Sequence, residues 1–265
     1  MREKIEKLKK YIHNLKSAVV AFSGGVDSSL LAKIAYDALG DSAVAATAVS
    51  ELVPRQEVDQ SRKIAQEIGI KQYLLTLNLL EVENIRDNPR NRCYWCKQNI
   101  FSNIGSLQQQ LRFNHIIEGS NVDDLNSYRP GIRALEEMKV LSPLARLGFT
   151  KEEVRQCAGL LGLSNYNLPS AACLASRIPY GQKLDARHLN QIALAEQYIK
   201  KLGFEVVRVR YHHPVARIEL QPDKLPQLFK NQLNHKIHDY LTGLGFNYIT
   251  IDLAGFRSGS MDENL

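Results

Sequence analysis

Apolar residues recur at two different periods along the first 120 residues. Between residues 3 and 15 (EKIEKLKKYIHNL), Ile5, Leu8, Ile12 and Leu15 return every three or four positions, the spacing of one helical face. Ser17–Phe22 (SAVVAF) is a short apolar run and predicts a buried strand. The alternation continues with helices over Ser28–Leu39, Arg55–Ile68 and Lys97–Leu111, and strands over Ala43–Val49, Gln72–Leu77 and His115–Glu118. Strands and helices in turn predict an α/β fold, a parallel sheet wrapped by helices. Strands this uniformly apolar fit a sheet covered on both faces. Residues 120–148 are rich in Asn, Asp, Pro and Gly and read as irregular. Thr150 and Glu153 form a capping box that opens a helix to Gly162, and a loop over Ser164–Lys183 follows.

The rhythm then changes. Asp185 caps an amphipathic helix to Leu202. Glu205–Tyr211 and Val215–Leu220 are strands around a His212-His213-Pro214 turn, hence antiparallel. Residues 222–243 read as two helical pieces and Asn247–Leu253 as a last strand. The expected organisation is an α/β domain over 1–180 and a smaller α+β domain over 181–265.

With 44% hydrophobic and 23% charged residues, disorder is excluded as the main state. No apolar run approaches the ~18 residues of a membrane span. The charged start MREKIEKLKK has no apolar stretch of a signal peptide, so the expected location is cytoplasmic. Thiols stay reduced there, and the four cysteines are read as core, metal or chemistry. A net charge of +6 suits nucleic acid or phosphorylated small molecules without choosing between them.

Ser23-Gly24-Gly25-Val26-Asp27-Ser28-Ser29 follows the first strand and opens a helix. Glycines there let backbone N–H groups and the helix N-terminus approach an anion. Asp27 in such a loop suggests a cation between it and the phosphates. Walker and dinucleotide fingerprints are both absent. The order S-G-G-x-D-S resembles the PP-loop of the adenine nucleotide α hydrolases. That resemblance implies ATP cleavage between the α and β phosphates with Mg. Ser23, Gly24, Gly25, Asp27, Ser28 and Gly119 are the expected ATP-binding residues.

Cys93-Tyr94-Trp95-Cys96 starts a predicted helix, and Cys173 lies far downstream, four residues before Arg177. A zinc site would want a fourth ligand, a redox pair another fold, and an iron–sulfur site with one open iron needs these three thiols alone. Cys173 by itself reads as a nucleophile or sulfur carrier, since a cation beside a thiol favours the thiolate. Cys157 reads as core.

Ser176-Arg-Ile-Pro-Tyr-Gly181, Val207-Arg-Val-Arg210, Ala216-Arg-Ile-Glu219, Asp252-Leu-Ala-Gly-Phe-Arg-Ser-Gly259, Gly119 and Tyr128-Arg-Pro-Gly131 together resemble the LarE family over nearly the whole chain. The resemblance implies an ATP-dependent sulfur transferase for the nickel-pincer cofactor of lactate racemase. It adenylates a carboxylate of pyridinium biscarboxylic acid mononucleotide and replaces AMP by sulfur. Some members give up the sulfur of the cysteine matching Cys173; others hold a 4Fe–4S cluster on three cysteines. Cys93, Cys96 and Cys173 match the cluster type, with Cys173 and Asp27 the expected catalytic residues. Arg208, Arg210 and Arg217 share one polar strand face with Glu219, and with Arg177 they are the candidate phosphate grip. Glu196 falls on an apolar helical stripe, where a carboxylate asks for a pair or a metal. Glu196 and Glu219 are candidate divalent-metal ligands. The resemblance also implies a homo-oligomer, a hexamer or another trimer-based assembly. The competing expectation, tRNA thiolation on the same loop, would need a basic, aromatic-rich module that the chain lacks.

Overall fold

The computed structural model describes residues 1–125, 130–169 and 172–257. In chain order the elements are α1 (Arg2–His13), β1 (Ala18–Ala21), α2 (Val26–Leu39), β2 (Ala43–Val49), α3 (Arg55–Ile68), β3 (Lys71–Thr76), α4 (Glu83–Arg86), α5 (Arg92–Leu111) and β4 (His115–Ile117). They continue with α6 (Val122–Leu125), α7 (Pro130–Glu137), α8 (Pro143–Arg146), α9 (Lys151–Leu160), α10 (Ala186–Lys201), β5 (Val207–His212), β6 (Val215–Leu220), α11 (Leu233–Gly243) and β7 (Tyr248–Ile251). The chain forms two compact units: residues 1–79 with 91–171, and residues 80–90 with 172–257 of the described chain.

The first unit is built on a four-stranded parallel sheet in the order β3-β2-β1-β4. Side chains alternate across it. Ala18, Val20, Ala43 and Ala45 enter a core with Leu8 and Ile12 of α1, Leu30 and Ile34 of α2, and Val154 and Ala158 of α9. Val19, Val44 and Ala46 face the other side, against Phe101, Ile104 and Leu107 of α5 and Leu135 of α7. Burial on both faces is what the unbroken apolar strands require. The strand order reverses at β1: the chain runs outward through β2 and β3, then returns to β1's other side as β4. Such a switch leaves a crevice at the carboxyl ends of β1 and β4.

Several expectations shift. The helix expected from Lys97 starts at Arg92, so both cysteines of the C-x-x-C are helical. The stretch read as irregular contains α6, α7 and α8. Proline is tolerated in the first helical turn, where its missing N–H has no partner to lose, so Pro143 starts a helix there. The two helical pieces expected over 222–243 are a 3₁₀ helix over Pro222–Phe229 and α11.

The second unit carries β5-β6-β7, a mixed three-stranded sheet. β5 and β6 are antiparallel with Arg208 opposite Glu219 and Arg210 opposite Arg217, while β7 runs parallel to β6. The segment 80–90 belongs to this unit through Asn88. Its side chain donates to the carbonyls of Ile178 and Pro179, and its own carbonyl accepts from Gly181 N. No helix among the described residues is long and apolar enough to cross a membrane.

Candidate functional site

The glycine loop sits at the end of β1, where the switch in strand order opens the crevice. Gly24 has φ +77°, and a Cβ there would meet Ser61 Cα at 2.8 Å. Conformation and space both demand glycine. A polar chain supports the loop from behind. Thr47 Oγ1 donates to the Phe22 carbonyl at 2.7 Å, Gln72 Nε2 donates to Thr47 and to Ser61 Oγ, and Ser61 Oγ donates to Val58 O. On the open side, Ser28 Oγ donates to Gly25 O and accepts from Ser23 N, 3.2 Å from Ser23 Oγ.

Gly119 follows β4 and faces the first turn of α2. A Cβ on it would lie 2.9 Å from Ser28 N and 3.1 Å from the Asp27 carbonyl carbon. The glycine therefore allows the β4 end and the loop to close on one another. Just beyond it, Asn121 Nδ2 donates to Asp27 Oδ1 at 3.0 Å, and Lys151 Nζ forms a close ion pair with Asp27 Oδ2. Lys151 is set by its helix end: Thr150 and Glu153 make the full capping box, and the Lys151 N–H donates to Asp123. Buried Glu118 accepts from Ser120 N, Ser120 Oγ and Ser142 Oγ. Sequence reasoning identified Ser23, Gly24, Gly25, Asp27, Ser28 and Gly119, which the fold gathers here, and missed Asn121, Lys151 and Glu118. The usable signal was position, because residues just past the carboxyl end of a strand beside a switch point line the crevice.

Cys93 and Cys96 lie in the first turns of α5, both half-buried. Their i, i+3 spacing puts the two thiols on one helical face. Cys157 is fully buried on α9, and burial pushes its thiol pKa up, as the core reading expected. Among the described residues of either unit, no three His, Cys, Asp or Glu side chains gather at one metal-holding point.

In the second unit Cys173 is exposed and heads the 3₁₀ turn Leu174–Arg177. Its carbonyl accepts from Ser176 N, Ser176 Oγ and Arg177 Nη1. Arg177 is 2% exposed, and its Nε and Nη2 each donate at 2.9 Å to the two oxygens of Glu196. Glu196 Oε1 also accepts from Val209 N at 3.0 Å. The carboxylate on the apolar stripe thus has its pair. Glu219, fully buried, accepts both forks of Arg210 at 2.9 and 2.8 Å and a third bond from Arg217. Arg208 is buried with its guanidinium 5.2 Å from the Phe256 ring centre. The side chain of Arg217 is 34% exposed, against 2% for Arg177 and 5% for Arg210. Arg177, Arg210, Glu196 and Glu219 are therefore engaged with one another in pairs; a phosphate or metal at these groups competes with bidentate bonds. Tyr128 and Arg129 of the first motif, and Ser258 and Gly259 of the last, lie outside the described residues.

Comparison with known proteins agrees with this geometry. A model of the NAD synthase family matches residues 1–94, which include the glycine loop. An uncharacterised protein of Synechocystis is 41% identical over the whole chain and 99% of its own length. Another uncharacterised protein, of Methanocaldococcus jannaschii, is 28% identical over 96% of the chain and 98% of its own length. The pyridinium-3,5-bisthiocarboxylic acid mononucleotide synthase of Lactiplantibacillus plantarum is 37% identical over 96% of the chain and 92% of its own length. A likeness that spans both units, over a phosphate loop held in this way, places the chain in the LarE family of PP-loop proteins.

Proposed function

We propose that this chain is an ATP-dependent sulfur transferase that converts the carboxylates of pyridinium biscarboxylic acid mononucleotide to thiocarboxylates, in building a nickel-pincer cofactor. The observation that carries the reading is the likeness to the Lactiplantibacillus synthase through both units. In the first step a substrate carboxylate oxygen attacks the α phosphorus of ATP, the α–β bond breaks, and pyrophosphate leaves. In the second, a sulfide attacks the acyl carbon and AMP departs with the carboxylate oxygen. Two rounds give the bisthiocarboxylate.

The loop residues have matching parts. Ser23, Gly24, Gly25 and Ser28 take the phosphates, and Gly119 lets the β4 end close against the first turn of α2 that carries Asp27 and Ser28. Asp27 would hold Mg in exchange for part of its present bonding to Asn121 and Lys151, and the Lys151 ammonium beside it would offset charge on the departing pyrophosphate. Arg217, the most exposed of the paired arginines on its sheet, is the best placed to meet the substrate phosphate; Arg177, Arg208 and Arg210 shape the wall around it. The paired state of Glu196 and Glu219 supports a scaffolding role over divalent-metal binding.

For the sulfur source, the donor set fits a 4Fe–4S cluster. Two half-buried thiols one turn apart and an exposed third, Cys173, would supply three thiolates, the ligand type iron prefers. The cluster supplies sulfide when bound. The Cys173 turn is tied by Arg177 and Ser176, so its thiol is presented from a fixed backbone. A trimer-based homo-oligomer in the cytoplasm completes the reading.

The test is anaerobic reconstitution with iron and sulfide, then assay with ATP, Mg and the mononucleotide. Pyrophosphate, AMP and thiocarboxylate should form over many turnovers. Cys93→Ala, Cys96→Ala and Cys173→Ala should each lose iron and turnover. A Cys93→Ala protein that still gives one product per chain, with Cys173 converted to dehydroalanine, would instead establish sacrificial transfer.

A further inference from the structure

Asn165 lies in the loop after α9 and is fully buried. Its side-chain amide donates to two points of the glycine loop at once, the Gly24 carbonyl and Ser29 Oγ, each at 2.8 Å. The loop carrying it is pinned on both sides: Glu67 accepts from Ser164 N and Oγ, while Arg155 donates to the carbonyls of Tyr166 and Leu168. The Asn165 Oδ1 atom, by contrast, is buried with no hydrogen-bond partner among the described residues. Burying an unpaired carbonyl is costly, so packing alone would favour an apolar residue here. The contacts this side chain makes are made through its nitrogen.

Those contacts control an orientation. A trans peptide points its C=O and N–H in opposite directions. Holding the Gly24 carbonyl towards Asn165 turns the Gly25 N–H to the far side, where it donates to Ser23 Oγ at 3.3 Å, a long bond that a phosphate oxygen would have to replace. The peptide between two glycines has no Cβ on either flank to resist turning over. Turned over, it would show the phosphates a carbonyl oxygen in place of an N–H donor.

We propose that Asn165 is a positioning residue for ATP cleavage: through the Gly24 carbonyl and Ser29 it sets the Gly24–Gly25 peptide so that its N–H faces the β and γ phosphates. This rests on reading Ser23–Ser29 as the ATP phosphate loop.

The experiment compares the full-length protein with Asn165→Ala and the isosteric Asn165→Asp, which loses the donors and sets a carboxylate against the Gly24 carbonyl. Calorimetry measures binding of inorganic pyrophosphate with Mg and, separately, of AMP. Both variants should bind pyrophosphate about tenfold more weakly or worse, the factor expected for an orphaned buried acceptor. AMP binding should stay at the wild-type value, and KM for ATP should rise more than kcat falls. Wild-type pyrophosphate affinity in Asn165→Ala overturns the inference, as does an equal loss for AMP, which marks a merely structural role. If Asn165→Asp does not fold, Asn165→Ala decides alone. Wild-type protein that binds neither pyrophosphate nor ATP overturns the loop assignment, and this inference with it; binding by wild type and variants alike overturns the inference only.

Discussion

The Arg177–Glu196 pair separates two roles for a buried carboxylate. Their side chains are 2% and 5% exposed and share two bonds of 2.9 Å. Glu196→Ala removes both and also the acceptor of Val209 N, leaving a guanidinium buried beside its remaining carbonyl partners, Ala172 and Cys173. Breaking a buried pair from one side costs about 3–5 kcal/mol, because the surviving charge keeps its desolvation penalty. Glu196→Gln keeps the shape and an acceptor but not the charge, and should cost about 1.5–3 kcal/mol. Replacing both partners, Arg177→Met with Glu196→Leu, removes the stranded charge and should recover much of the loss. The assay is urea denaturation of the three variants, read at the midpoint and slope, with the alkylation rate of Cys173 as a local probe. Arg177 also holds the Cys173 carbonyl, so a guanidinium released from Glu196 should change that rate in Glu196→Ala. The reasoning fails if Glu196→Ala shifts stability by less than about 1 kcal/mol, or if the double variant is no more stable than Glu196→Ala. Wild-type stability together with lost divalent-metal binding would instead make Glu196 a metal ligand.

Two further predictions concern glycine and histidine. Gly119→Ala places a methyl 2.9 Å from Ser28 N, against backbone that no rotamer can move aside, and should cost about 1–3 kcal/mol and slow pyrophosphate release. Gly105→Ala, inside α5 with nothing within 4 Å of the new methyl, should stabilise by about 0.5–1 kcal/mol; equal midpoints for the two variants would contradict the geometry. His212 has its pKa lowered by burial, then by Arg217 and Arg210. The unfolded chain therefore takes up the proton first, near pH ~6.5, so stability present above that pH is lost as pH falls through the lower folded value. His212→Gln should flatten this acid limb in stability measured from about pH 7 downward; identical slopes would rule the contribution out.

Local pattern was enough for much of this protein. Short apolar runs announced a sheet buried on both faces, because a strand's side-chain period is visible in the residues themselves. Ser23–Ser29 was legible as a phosphate loop, since its glycines and its place before a helix are sequential facts. That Arg208, Arg210, Arg217 and Glu219 share one strand face followed from alternation across one hairpin; the register that sets Arg208 opposite Glu219 came from the structure. The start of α5 at Arg92 was missed because its first turn carries no apolar period. The start of α8 was missed because proline looks like a break, although it is equally a first-turn residue.

What the chain's order of residues determined by itself was therefore the fold class, the anion loop and the family motifs, all written in neighbouring positions. Tertiary structure alone decided which distant groups meet. Lys151 reaches Asp27 across 124 positions, Asn165 reaches Gly24 across 141, and Glu196, readable only as a carboxylate in need of a partner, finds it in Arg177. The physical reason is that spacing along the chain constrains local backbone geometry, whereas such pairings depend on which strands lie side by side. In the first unit the return of β4 to the free side of β1 brings Gly119 and Asn121 against the loop, and no local pattern encodes that choice of edge.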